Sequence, residues 1–84
     1  MAVIGPVLQK KIAANPRQSQ NLIVRVIGDM ETAQQQLLAA GFQIRRKLSL
    51  INGFATTAPG ASVRAVADQS WVKSIEEDQP VHTM

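Results

Sequence analysis

Between Leu22 and Glu77 the apolar residues repeatedly change period, and that alternation limits the folds open to the chain. Leu22-Ile23-Val24-Arg25-Val26-Ile27 is β-branched and apolar, the composition of a largely buried strand. Gly28-Asp29 then turns the chain, and Asp29 is placed to cap a helix over residues 30–40. Met30, Ala33, Leu37 and Ala40 recur at helical spacing with Leu38 at their margin, while Gln34, Gln35 and Gln36 fall mostly on the opposite face. Gly41 is a natural left-handed stop. From Phe42 to Ile51 the period returns to two, so that Phe42, Ile44, Arg46, Leu48 and Leu50 share a face. Asn52-Gly53 is the strongest hairpin signal in the chain. Phe54 to Thr57 reads as a third strand, broken by Ala58-Pro59-Gly60. A helix over residues 60–69 then packs Val63, Val66 and Ala67, and Trp71 to Glu77 forms the last strand.

The order strand, helix, strand, strand, helix, strand predicts an α+β fold of the ferredoxin-like βαββαβ kind. Both helices cross one face of a four-stranded antiparallel sheet, and the other face is left for a partner. Residues 22–84 make up this domain. Ahead of it, Val3, Ile4, Val7, Leu8 and Ile12 predict an amphipathic helix over 3–14, with Pro6 tolerated in its first turn and Asn15-Pro16 ending it. Residues 15–21 are polar and read as a linker, so the expected boundary lies between an N-terminal helix with linker, 1–21, and the domain that follows.

Composition removes several functions. The chain has no cysteine, which excludes disulfides and thiolate metal sites and leaves the core to stabilise the fold. Its one histidine leaves little for metal or acid–base chemistry, so neither a metal nor another cofactor is expected. Two Phe and one Trp are too few for a base-stacking platform. At 45% apolar and 18% charged residues the chain is globular rather than disordered. The net charge of +3 is unevenly spread. Lys10, Lys11, Arg17, Arg25, Arg45, Arg46, Lys47 and Arg64 face only Asp29 and Glu31 in residues 1–64, whereas Lys73 faces Asp68, Glu76, Glu77 and Asp78 in residues 65–84. No apolar run is long enough for a membrane span, and no basic-then-apolar leader opens the sequence, so the expectation is an intracellular chain if the sequence is complete.

The closing residues, Ser74-Ile75-Glu76-Glu77-Asp78-Gln79-Pro80-Val81-His82-Thr83-Met84, join a strand end to three acids and a short tail. Along a strand Glu76 and Asp78 project to one side and Glu77 to the other. Pro80 fixes its own φ and biases Gln79 toward an extended geometry. Together with Ile51-Asn52-Gly53-Phe54-Ala55 and with Val72 and Ile75, this ending resembles the propeptides of subtilisin-type serine proteases and their free-standing inhibitor relatives, over about three quarters of the chain.

The resemblance implies a protease inhibitor and not an enzyme. The open sheet face would pack on two parallel helices of the protease, with Glu76 and Asp78 capping their N-termini, where unpaired N–H groups and the helix dipole favour carboxylates. Residues 79–84 would lie as an extended strand in the substrate cleft. It further implies Met84 in the primary specificity pocket, Val81 in the second large apolar pocket, Thr83 lining the strand between them and His82 turned largely to solvent. Pro80 would preorganise this tail. The partner is a subtilisin-like serine protease, neither nucleic acid nor membrane, and the free chain is expected to be a monomer. A free-standing inhibitor and a cleaved propeptide that chaperones its own protease share this binding mode, and both remain open.

Plainer readings exist for the same residues. A short acidic run is ordinarily a solvated strand end, and chain termini are ordinarily inert. Ser74, Asp78 and His82 do not make a catalytic triad, because nothing would hold three residues of one exposed tail in place. Arg45-Arg46-Lys47, with Arg45 and Lys47 on one face and Arg46 opposed, reads as a solvated edge. An RNA-binding or small-ligand module of the same fold is the rival reading, but its strands lack the stacking aromatics. The N-terminal helix suits either a membrane or partner surface or packing against the domain.

Overall fold

A computed structural model describes residues 3–78. Its elements are β1 (Val3–Ile4), α1 (Pro6–Ala14), β2 (Ser19–Val26), α2 (Met30–Ala39), β3 (Gln43–Leu48), a short turn of 3₁₀ helix (Ser49–Ile51), β4 (Gly53–Pro59), α3 (Gly60–Ala67) and β5 (Val72–Glu77). The strands form one sheet in the order β1-β5-β2-β4-β3. In the four strands β5-β2-β4-β3 each is antiparallel to its neighbour. With the intervening helices they make an α+β fold compatible with the ferredoxin-like arrangement.

The expected four-stranded sheet gains a fifth strand. β1 runs parallel to β5, with Val3 opposite Ser74 and Ile4 opposite Ile75. The predicted helix over 3–14 is thus shortened at its start. A residue before proline is pushed out of the helical region, and Gly5 sits at φ −58°, ψ 141° ahead of Pro6. The two β-branched residues before it pair with β5, which would otherwise be a bare edge. Of the expected apolar face of α1, Leu8 and Ile12 are buried and Val7 is exposed.

α1 belongs to the same core as the rest. Leu8 and Ile12 pack in one cluster with Leu22, Val24, Val26, Leu37, Phe42, Phe54, Val63, Val66, Val72 and Ile75. Gly60 meets Ile12 so closely that a Cβ there would lie 2.8 Å from Ile12 Cγ2, which seats the start of α3 against α1. The expected linker shrinks as well. β2 begins at Ser19, and the polar residues Ser19, Gln20 and Asn21 pair with Pro59, Ala58 and Thr57, because backbone pairing is indifferent to side chains that stay wet.

Local chemistry sets the other boundaries. The Asp29 carboxylate caps α2, accepting from the N–H groups of Glu31 at 3.4 Å and Thr32 at 3.3 Å and from the Thr32 hydroxyl at 2.7 Å. The Thr32 hydroxyl, then the backbone donors, with a smaller pull from Lys47, hold its carboxyl below the ordinary value. Gly41, at φ +98°, stops α2. Its N–H donates to Leu38 O and the Phe42 N–H to Leu37 O, the paired bonds of a Schellman ending.

The β3–β4 connection departs from the expected tight hairpin. Asn52 alone takes the left-handed conformation, at φ +53°, after the Ser49–Ile51 turn, and Gly53 is already in strand. Gly53 is needed for closeness rather than for turning, since a Cβ there would lie 2.6 Å from Val24 O in the neighbouring strand. β3 is shorter than the period-two pattern suggested, and Leu50 at the turn is fully exposed. The expected common face of Phe42, Ile44, Arg46, Leu48 and Leu50 is broken within the strand: Ile44 pairs with buried Thr56, whereas Arg46 and Leu48 stand opposite Ala55 and Gly53 on the other side.

Candidate functional site

Register assigns every strand residue to a face. Leu22, Val24, Phe54, Thr56 and Ile75 are fully buried on the helix side. Their alternates stand on the uncovered side in rows across the sheet. One row runs Glu76, Ile23, Ala55, Arg46, and the next runs Ser74, Arg25, Gly53, Leu48. At the end of the sheet Asn21 lies opposite Thr57 and accepts the Asp78 N–H on its carbonyl at 2.8 Å. The face therefore has an acidic border on β5, an apolar middle at Ile23 and Ala55, and guanidinium groups on β2 and β3.

Glu76 is exposed there and makes no ion pair among the described residues. Asp78 also stands on this face but is engaged: its Oδ2 accepts from Arg45 Nη2 at 2.8 Å, and Nη2 also donates to Thr56 O at 3.3 Å. Glu77, opposite Leu22, points to the helix side and forms an ion pair with Lys11 of α1. Near the middle of the uncovered face, Arg25 Nε is buried with no hydrogen-bond partner among the described residues. A buried donor left in that state costs about 1–3 kcal/mol.

The Arg45–Asp78 contact depends on a β-bulge. Ile44 pairs with Thr56 and Arg46 with Ala55, so Arg45 is the extra residue between them. This corrects the expectation that Arg45 and Lys47 share one face and Arg46 the other. The inserted residue shifts the alternation by one. Arg45 and Arg46 are directed to the uncovered side, while Lys47, opposite Phe54, lies on the helix side near Asp29. No glycine marks the bulge, and only the excess of cations at 45–47 over a matching excess of acids at 76–78 hinted at the pairing.

Comparison with protein-family models and with curated proteins finds no match to this chain.

The remaining expected site residues, Pro80, Val81, His82, Thr83 and Met84, lie outside the described residues. Ser74 and Asp78 are two rows apart on the sheet, with Asp78 bound to Arg45, so these two do not meet as parts of a triad. At the opposite end of the sheet from Asp78, Lys47, Leu48, Ser49, Leu50 and Ile51 line an open groove of about 400 Å³. Among the described residues there is no cluster of three or more His, Cys, Asp or Glu that would hold a metal, and no helix long and apolar enough to cross a membrane.

Proposed function

We propose that this protein inhibits subtilisin-class serine proteases. In this reading the βαββαβ core is ferredoxin-like, its uncovered sheet face docks on the protease, Glu76 caps an enzyme helix, and residues 79–84 occupy the substrate cleft as a product-like strand. The observation that carries it is the position of Glu76: exposed, without an ion pair among the described residues, on the uncovered face and at the end of the last strand. An acid in that place suits a helix N-terminus. The same face supplies the apolar middle that a docked partner would cover. The mode requires no cofactor and no chemistry by this chain. It serves a free-standing inhibitor and a propeptide that assists its protease to fold equally well.

The test is titration of a purified subtilisin with the full chain, a chain ending at Pro80, and Glu76→Ala. The full chain should inhibit competitively. Removing residues 81–84 takes away the anchoring side chains and should weaken inhibition by about 30-fold or more. Glu76→Ala should weaken docking without unfolding the protein. An inhibition constant indifferent to the truncation refutes the tail model, and failure of all three to inhibit refutes the reading.

A second reading has one observation in its favour: Arg25, Arg45 and Arg46 all stand on the uncovered face, as in an RNA-binding module. Against it, Phe42 and Phe54 are buried, Trp71 packs against the core, and among the described residues that face carries no aromatic side chain to stack on a base. Salt-sensitive binding of single-stranded RNA, unaffected by loss of residues 81–84, would select it.

A further inference from the structure

Beyond Ile75 the last strand is paired with a neighbouring strand on one side only. β1 reaches just far enough to pair with Ser74 and Ile75, whereas β2 accompanies β5 through Glu77 and then accepts the Asp78 N–H. At this end Glu77 is held by Lys11 of α1, and a further hold arrives from the far border of the sheet. The order β5-β2-β4-β3 separates β3 from β5 by two strands, a backbone span of about 14 Å. Arg45 bridges it because the bulge directs its side chain along the uncovered face and the Thr56 carbonyl steadies its guanidinium on the way to Asp78.

Both partners of this pair are about one-third exposed, at 38% for Arg45 and 34% for Asp78, so the contact adds little to global stability. What it sets is geometry. We propose that Arg45 is a positioning residue: it holds the Asp78 carboxylate across the open face, fixes the position of the chain at residue 78, and leaves Glu76 as the carboxylate available for docking. The positioning stands on the structure by itself; its consequence for inhibition rests on the protease-inhibitor reading. It also separates two residues that the sequence pattern treats alike. Asp78 must break a 2.8 Å ion pair before it can cap a partner helix, and Glu76 has no such pair among the described residues to break.

The experiment measures amide exchange at residue 78 by NMR in the full chain and, in parallel, inhibition of a purified subtilisin. Arg45→Gln and Asp78→Asn should each speed exchange at residue 78 by about two- to fivefold, the range of an exposed ion pair. The double variant should be no faster than either single one, and Arg45→Lys should recover part of the loss. Arg46→Gln, on the same face but outside the pair, should leave residue 78 unchanged. Inhibition should weaken by a similar factor in Arg45→Gln, and this loss should add to that of Glu76→Gln. Unchanged exchange in Arg45→Gln, or independent effects of the two partners, overturns the positioning. If the exchange pattern holds but the parent chain does not inhibit, the protease reading falls and the positioning stands. If the parent inhibits and Arg45→Gln inhibits equally despite faster exchange, the link from position to docking is overturned.

Discussion

On the helix side of the sheet, Leu22, Val24, Phe54 and Ile75 are completely buried, and the one polar residue among them, Thr56, is within reach of Leu22 O at 3.4 Å. On the other side the same strands carry Ile23, Arg25, Arg46, Ser74 and Glu76, with Ala55 the one buried apolar residue among them. The two faces share every backbone hydrogen bond, so their difference is one of side chains alone. The helix side stabilises the fold through apolar burial, which is insensitive to partner and pH. The open side contributes little to folding and keeps its charges arranged for something else. Stability should therefore follow one set of alternate residues and recognition the other.

Substitutions that pit the faces against each other test this most strongly. Phe54→Ala empties a fully buried site and should cost about 3–5 kcal/mol in denaturant unfolding, enough to unfold much of a domain this small. Glu76→Ala, on the open face, should stay within about 0.5 kcal/mol of the parent. Comparable losses for the two would break the comparison. A smaller effect marks its limit: Gly53→Ala lies in an open-face row, yet its Cβ would press on Val24 O at 2.6 Å, which is backbone and cannot move aside. A destabilisation of about 1–3 kcal/mol in the same measurement is expected, as for overpacking. If Gly53→Ala is neutral, β2 and β4 separate more easily than the register implies.

The helix side was legible in the sequence because burial writes itself as period. Val24 and Val26 in one strand, Ala33 and Leu37 in a helix, Val63 and Val66 in the next all occupy the core that their spacing announced. Gly41 and Asp29 were legible for a different reason, since each serves the one local geometry its side chain permits. What could not be read depends on contacts distant in sequence. The pairing of Val3–Ile4 with β5 joins two ends of the chain, and no local pattern distinguishes it from a first helical turn. The bulge at Arg45 arises from matching β3 to β4, so the alternation that correctly exposed Glu76 misassigned Arg45 and Lys47. Asn52-Gly53 misled in an instructive way: both residues are essential to that corner, but Gly53 serves a neighbouring strand rather than the turn.

The smallest expected effect asks whether the helix side leans on charge at all. The Asp29 cap is fully hydrated at the rim of the helix layer, and its carboxyl is held below the ordinary value first by the Thr32 hydroxyl and then by the N–H groups of Thr32 and Glu31. A carboxyl whose folded value is depressed stabilises the fold fully above its unfolded value, near about 3.9, and loses that contribution as pH falls through the folded value. Asp29→Ala should therefore melt below the parent at neutral pH, with the gap closing as the solution is acidified through the carboxylate range. Asp29→Asn keeps an acceptor for the N–H groups but cannot titrate, so its melting temperature should lack this part of the acid dependence. Thermal melts of the three proteins across that range decide the point. A gap between Asp29→Ala and the parent that does not change with pH would mean that the cap acts through its hydrogen-bond geometry and not its charge, leaving the Lys11–Glu77 pair as the charge contact on the helix side still to be tested.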